Sequence, residues 1–253
     1  MASNPPGACC TTGFKHEGNP RGTAIKIAGK WDAYVTKPQD GKPSRKDVAV
    51  LIIPDAIGLG WDNVRLLADI VAESGYTTLV PDIFNGDPIK PNEMNTVDIP
   101  KWITEGSDGR NPHTPDAIDP IVEAAIDTLK KDYGAQRIGA MGYCLGAKYV
   151  VRHFKSGVNV GFLAHPTMVT DDELAAITGP LSIAAAETDP IFPAENRHRS
   201  EGILQKTGQP YHISLFSGVA HGFGLRADLS KKDQRFAQKQ AISQALAWFS
   251  QYL

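Results

Sequence analysis

The stretch RIGAMGYCLGAKYVVRHF, residues 137–154, decides the fold. RIGAMGY is an apolar run of strand character, and CLGAKYVVRHF has helical spacing, so a strand (137–143) is expected to turn directly into a helix (144–154). Gly142 and Gly146 flank Cys144 at −2 and +2. A sharp strand-to-helix turn leaves little room for side chains, and glycines on both sides of one central residue are what a nucleophile elbow requires. The helix behind that residue aims backbone N–H groups and a positive dipole at it, which favours a thiolate and an oxyanion. Taken alone, the motif also fits a structural cysteine filling a tight turn.

Working outward, the same alternation recurs. VAVLIIP (48–54) and YTTLVPD (76–82) are continuous apolar runs, as expected of strands buried on both faces. A helix is expected from an Asp62 cap to Ser74, with Gly75 as its stop. Another starts at Thr114-Pro115, with Ile118, Ile121, Val122, Ala125 and Leu129 on one stripe. Strands VGFLAH, LSIAAAE and YHISLFS alternate with helices near 171–177 and 194–207, and a C-terminal helix carries Ile242, Leu246, Phe249 and Leu253. TAIKIAG and WDAYVTKP read as a hairpin turning at Gly29-Lys30, and 37–47 as a polar loop. The expected fold is α/β, with a mostly parallel central sheet flanked by helices on both faces. It forms one domain over 1–253, with an N-terminal arm over 1–23 and a Pro/Gly-rich excursion over 83–113 across the active-site end.

The totals exclude several function classes. Lys and Arg number 26 against 28 Asp and Glu, a net charge of −2, so no excess of positive charge exists for nucleic acid or anionic membrane surfaces. Three cysteines, two of them adjacent, make no disulfide framework, and MASNPPGACC lacks a signal-peptide pattern; a reducing cytoplasmic setting is expected. No stretch approaches a membrane span. Cys9, Cys10 and nearby His16 fit no zinc spacing, so no metal and no cofactor are expected, and the arm is read as packed on the domain.

In parallel sheets of this kind, reactive groups sit at the carboxyl ends of strands. Asp189 follows LSIAAAE in TDP, and His221 follows YHISLFSG in VAHGFG. Alone, Asp189 reads as a turn or cap aspartate and His221 as one of seven histidines. Together with Cys144 they fall at strand ends in the order nucleophile, acid, histidine. His221 would take the thiol proton, and Asp189 would hold the imidazole tautomer. His165 also ends a strand and reads as structural before Pro166.

GYCLG, TDP and AHGFG, with IIPDAIGLG upstream, resemble the dienelactone hydrolase (carboxymethylenebutenolidase) family, an α/β-hydrolase group with a Cys-His-Asp triad. PDIFNGDP and FPAENRHRSE, and the arm CCTTGFKHEGNPRG, are similar to its eukaryotic, especially fungal, branch. The resemblance implies Cys144 as nucleophile, Asp189 as acid and His221 as base, with the backbone N–H groups of Leu145 and Ala56 as the oxyanion hole. It places Asp55 where bacterial members have a glutamate that modulates the thiol, and so implies a resting Cys144 thiol kept neutral by a nearby carboxylate. The family's two substrate-gripping arginines fall at Asn85-Gly86-Asp87 and at Leu225, so Arg226 is the remaining candidate for a carboxylate contact. Phe223, Tyr143 and Trp61 are the other candidates for substrate binding. The expected partner is a small ester or lactone, processed through an acyl-enzyme on Cys144 by a monomer or homodimer. Two alternatives stay open: non-hydrolytic cyclisation or isomerisation of a polyketide-type substrate, and a non-catalytic binding protein on the same fold.

Overall fold

The computed structural model describes residues 1–42 and 44–253; Pro43, within the polar loop expected at 37–47, lies outside the described residues. Among the described residues one sheet of eight strands is formed: β1 (Thr23–Ile27), β2 (Trp31–Thr36), β3 (Val48–Ile53), β4 (Thr77–Pro81), β5 (Arg137–Tyr143), β6 (Val160–Ala164), β7 (Leu181–Thr188) and β8 (Tyr211–Ala220). Their order is β1-β2-β4-β3-β5-β6-β7-β8. The hairpin β1–β2 joins antiparallel at one edge, and every pairing from β4 through to β8 is parallel.

The helices are α1 (Asn63–Glu73), α2 (Ile99–Glu105), α3 (Pro115–Lys131), α4 (Gly146–Arg152), α5 (Asp171–Ala175), α6 (Ala194–Thr207), α7 (Phe223–Arg226) and α8 (Lys232–Tyr252). Strand residues alternate between two cores because successive side chains leave opposite faces. Leu51, Ile53 and Leu79 join Ile118, Ile121, Val122 and Ala125 of α3 and Val150 of α4. Val50, Ile52 and Val80 join Val64, Leu67 and Val71 of α1 and Ala241, Ala245 and Phe249 of α8. The stripe expected on α3 is buried as read, with Ile118 and Val122 fully so. Each fully buried aliphatic side chain of this kind contributes about 1.5–3 kcal/mol. The layered sheet therefore rests on apolar cores on both of its faces.

Register then delivers the site. β3 and β5 pair Ile53 with Gly142, which sets the loop after β3 beside the elbow after β5. β5 and β6 pair Tyr143 with Ala164, and the Cys144 N–H donates to the Ala164 carbonyl at 3.2 Å. β7 and β8 pair Thr188 with Ala220 across an irregularity, and the His221 N–H donates to the Thr188 carbonyl at 3.3 Å. Asp189 and His221 are thus neighbours by sheet geometry although 32 positions separate them in the chain.

The helix expected at 144–154 is shorter than its sequence pattern. α4 begins at Gly146, and a 3-10 turn takes over at His153. Cys144 has φ +51°, a left-handed conformation incompatible with a helical residue. That kink at the strand end is what an elbow needs.

Candidate active site

The elbow is tight because its glycines make it so. A Cβ on Gly146 would collide with the Ile53 carbonyl oxygen, and one on Gly142 would lie 2.6 Å from Ala147 Cα. The absence of both side chains lets β3 and α4 close against each other. The Leu145 N–H favours the Cys144 thiolate, against the burial that raises it. Among the described residues, neither that N–H nor the Ala56 N–H donates to a backbone carbonyl. Both expected oxyanion donors are therefore uncommitted to secondary structure. Ala56 itself is buried and its carbonyl accepts from the Ile89 N–H at 2.9 Å.

Asp189 and His221 form a buried pair. His221 Nδ1 donates to both Asp189 oxygens, at 3.0 and 2.9 Å, and both side chains are fully enclosed. Asp189 Oδ1 also accepts from the Ile191 and Phe192 N–H groups, which fixes the carboxylate. Burial opposes ionisation of Asp189, but the His221 hydrogen bond and charge hold it below the usual carboxylate range. For His221, burial likewise opposes charge; hydrogen bonds to Asp189 and to a thiol outweigh it and lift the imidazole to about 9.

That thiol belongs to Cys10, not Cys144. Cys10 Sγ lies 3.6 Å from His221 Nε2, while Cys144 Sγ is bonded to Thr167 Oγ1 at 3.2 Å. Among the described residues no hydrogen bond links Cys144 to His221 directly. Cys10 Sγ also lies 4.0 Å from Thr167 Oγ1, so the Thr167 hydroxyl is shared between the arm thiol and the elbow thiol. Cys10 and Cys144 are both 0% exposed. The hydrogen bonds from Cys144, Cys9 and His221 push the Cys10 thiol down, against its burial. Cys144 is pushed up, first by burial and then by Cys10. The sequence reading gave that effect to a carboxylate; here desolvation and a second thiol oppose ionisation of Cys144.

Asp55 is committed elsewhere. Its Oδ1 accepts from the Ile57 N–H at 3.0 Å, and its Oδ2 forms a buried ion pair with Arg226 Nη1. Among the described residues it makes no hydrogen bond to Cys144, which corrects the contact expected from the family. Arg226 is corrected as well. Its Nε donates to the Thr12 carbonyl at 3.1 Å and its Nη2 to the Cys9 carbonyl at 3.0 Å. With its third donor on Asp55, the guanidinium clamps the arm rather than facing substrate. Burial alone draws it down, to about 10.

The arm is anchored along its length. The Ser3 N–H donates to the Val169 carbonyl at 3.0 Å, and the Val169 N–H returns a bond to Ser3 Oγ at 2.9 Å. The Met94 N–H donates to Thr11 Oγ1, and Asn63 Nδ2 bridges the carbonyls of Phe14 and Leu225. The excursion at 83–113 meets both the arm and Ala56, as expected of a segment over this end. Tyr143 and Phe223 prove to be packing residues. Tyr143 lies against Phe162 and His165, and Phe223 against His165 and Phe216, all within a buried layer. Trp61 lines a small cavity beside Asp55 and Arg226. His165 is fully buried with both ring nitrogens unpartnered and its ring edge-on to His221 at 4.9 Å. Burial drives it down to about 3, so a neutral ring packs against His221.

Two participants escaped the sequence reading, Cys10 and Thr167. Thr167 follows His165-Pro166 by one step, and only the β5–β6 pairing brings it to the sulfur. Cys10 carried a signal, an apolar-type residue in a polar arm, but its contact is 211 positions away. The metal expectation also needs restating. His16 is not near the paired cysteines' site; its Nε2 donates to the Ala227 carbonyl. The donor atoms of Cys9, Cys10 and His221 instead lie within 4.8 Å of one another. A wide surface groove lies elsewhere, between β8 and α8, and is not lined by Cys144, Asp189 or His221.

Comparison with known proteins settles the ancestry of this arrangement. The dienelactone hydrolase family profile matches residues 31–253. The chain belongs to the dienelactone hydrolase family. Hydrolase tropI of Talaromyces stipitatus is 43% identical over 256 residues, spanning 100% of this chain and 99% of that protein. Hydrolase pyvD of Aspergillus violaceofuscus is 44% identical over 254 residues, spanning 100% and 99%. A crystal structure of dienelactone hydrolase from Anabaena variabilis superposes with a TM-score of 0.64 at 12% identity, covering 94% of this chain and 100% of that one, which speaks for the fold. The family match begins at β2, so the arm that carries Cys9 and Cys10 lies outside it. Among the described residues no helix is long and apolar enough to cross a membrane.

Proposed function

We propose that this protein is a cysteine-dependent hydrolase of a small, uncharged ester or lactone, with Cys144 as nucleophile, His221 as base and Asp189 as its orienter. The observation that carries the reading is the buried Asp189–His221 pair at the same end of the sheet as the kinked strand-to-helix elbow that bears Cys144. In the closed arrangement Cys10 occupies the approach to His221. Turnover therefore begins with the arm yielding this position. Cys144 then turns from Thr167 toward His221 Nε2, gives up its proton and attacks the carbonyl carbon. The new C–S bond forms as the carbonyl π pair moves to oxygen, where the Leu145 and Ala56 N–H groups receive it. Collapse expels the alkoxide, which takes the proton from His221. Water, deprotonated by the same imidazole, attacks the thioester and releases the acid and the Cys144 thiol.

The substrate class follows from what the cationic group does. Arg226 is spent on Asp55 and the arm, and no arginine stands at Asn85-Gly86-Asp87 or Leu225. A carboxylate on the substrate has no bidentate partner in this arrangement, and an uncharged lactone or ester needs none. The test is a screen of small lactones and aryl esters, with rapid quenching and mass spectrometry. An acyl mass on the peptide containing Cys144, lost in Cys144→Ala, supports the reading. Undiminished turnover by folded Cys144→Ala would sink it.

A further inference from the structure

The arm brings two sulfurs to the one ring nitrogen of the triad that Asp189 leaves free. We propose that Cys9, Cys10 and His221 together bind a single thiophilic divalent metal ion of the zinc type, and that the bound ion locks the arm over Cys144. Four observations carry this. The three donor atoms already lie within 4.8 Å of one another. Cys10 Sγ and His221 Nε2 are 3.6 Å apart, which matches the separation of about 3.6 Å that tetrahedral zinc imposes on one sulfur and one imidazole nitrogen at its usual bond lengths. His221 Nδ1 is held by Asp189, the arrangement that fixes tautomer and orientation in metal-bound histidines and presents Nε2 as the ligand. Arg226 grips the carbonyls of Cys9 and Thr12 from either side of Cys10, so the two thiols are placed by the fold before any ion arrives.

The remaining adjustment is small. Two sulfurs on tetrahedral zinc stand about 3.8 Å apart, so with all three donors within 4.8 Å of one another the Cys9 thiol moves by no more than about 1 Å. Cys9 is half-buried and has that freedom, and its exposure gives the ion an entry path. The fourth position is left for a water or for the Cys144 sulfur, which shares the Thr167 hydroxyl with Cys10. Coordination leaves every oxidation state unchanged. The site's two cysteines enter as thiolates and the histidine as neutral imidazole, so two protons leave for solvent whichever group held them beforehand. No local spacing announces such a site, because its third ligand lies 211 positions from the second.

Binding itself does not depend on the hydrolase reading. The consequence does: an ion on Nε2 removes the base, and one ion per chain abolishes ester turnover until a chelator withdraws it. The experiment titrates the reduced full-length protein with Cd²⁺, following the ultraviolet thiolate-to-cadmium absorption, and competes Zn²⁺ against a chromophoric chelator. One ion per chain is expected, with affinity lowered about tenfold or more in Cys9→Ser and in Cys10→Ser. Cys9→Ser is expected to keep wild-type ester turnover while losing inhibition by Zn²⁺. Since Cys10 is buried, a thermal melt accompanies each variant, and the half-exposed Cys9→Ser decides the matter alone if Cys10→Ser misfolds. Absence of stoichiometric binding, or binding untouched by Cys9→Ser, would overturn the site. So would loss of binding in Cys144→Ala with the Cys9 and Cys10 variants unaffected. A wild-type protein that binds Cd²⁺ but turns over no ester would overturn the hydrolase reading and leave the metal site standing.

Discussion

The elbow and the arm each present one buried thiol to the same few ångströms of space, yet they are built in opposite ways. Cys144 is placed by local rules: a strand, two glycines, a left-handed kink and a helix start within ten residues. Cys10 is placed by remote ones, through Arg226, Asn63, Met94 and Val169, none of them near it in sequence. The elbow is anchored behind by α4, where Arg152 and His153 meet Asp119 of α3 and Lys148 meets Glu173. The arm is docked by hydrogen bonds from side chains and carbonyls spread across the fold, with Arg226, itself paired with Asp55, holding the carbonyls of Cys9 and Thr12. A site half of which is rigid scaffold and half a docked segment can be closed without disturbing its chemistry. Local openings of this kind come from the least anchored elements of a fold.

The largest expected effect breaks the comparison at the two sulfurs. Cys144→Ala lowers ester turnover by about 10³-fold or more, because the covalent route is lost. Cys10→Ala leaves it at or above the wild-type rate, because it removes the group standing before His221. Steady-state kinetics on a chromogenic ester separate the two; equal losses would mean that both thiols are catalytic.

Next comes the arm's ion pair. Arg226→Met strands a buried Asp55 carboxylate and is expected to cost about 3–5 kcal/mol in denaturant unfolding. It also frees residues 1–14 for limited proteolysis. The double variant with Asp55→Asn recovers part of the stability but not the protection of the arm. An arm that stays resistant in Arg226→Met would show that other contacts hold it.

A smaller loss is expected on the elbow side. Gly146→Ala forces a methyl against the Ile53 carbonyl, and the overpacking costs about 1–3 kcal/mol. Because that shift moves Leu145 and the loop bearing Ala56, kcat should fall further than KM changes, while the arm stays protected. The outcome that argues against this is a stability loss with kcat unaltered.

The smallest effect is on pH. Burial disfavours the Asp119 charge, but His153 and Arg152 outweigh it and hold the carboxyl at about 2. A carboxyl depressed in the folded state stabilises it fully above its unfolded value near 4, and that contribution disappears as pH falls toward 2. Melting temperatures of wild type and Asp119→Asn should therefore differ most above about pH 4 and converge toward pH 2. Parallel curves across that range would remove Asp119 from the elbow's anchorage.

Much of the molecule is legible in the chain. Apolar runs such as 48–54 and 137–143 have no alternative to burial on both faces, and the stripe from Ile118 to Leu129 matches only a helix face. Gly142 and Gly146 flag the elbow, and Asp189 and His221 flag themselves by ending strands. The exceptions share one feature. Arg226 sits one place from an expected substrate arginine, and its role changed because Asp55 and two arm carbonyls reach it first. Tyr143 and Phe223 lie close in sequence to Cys144 and His221 but pack around His165. Thr167 and Cys10 have no local signature at all.

The layered α/β fold, the kinked elbow at Cys144 and the strand-end positions of Asp189 and His221 follow from the chain, because periodicity and glycine sterics act over a few residues. Tertiary structure alone decided which thiol meets His221, what Asp55 pairs with and whether the site is open. Those outcomes depend on a polar arm whose own composition commits it to nothing. Its position is set by where buried carbonyls and charges across the fold find their partners, and such pairings are long-range, numerous and not encoded in spacing.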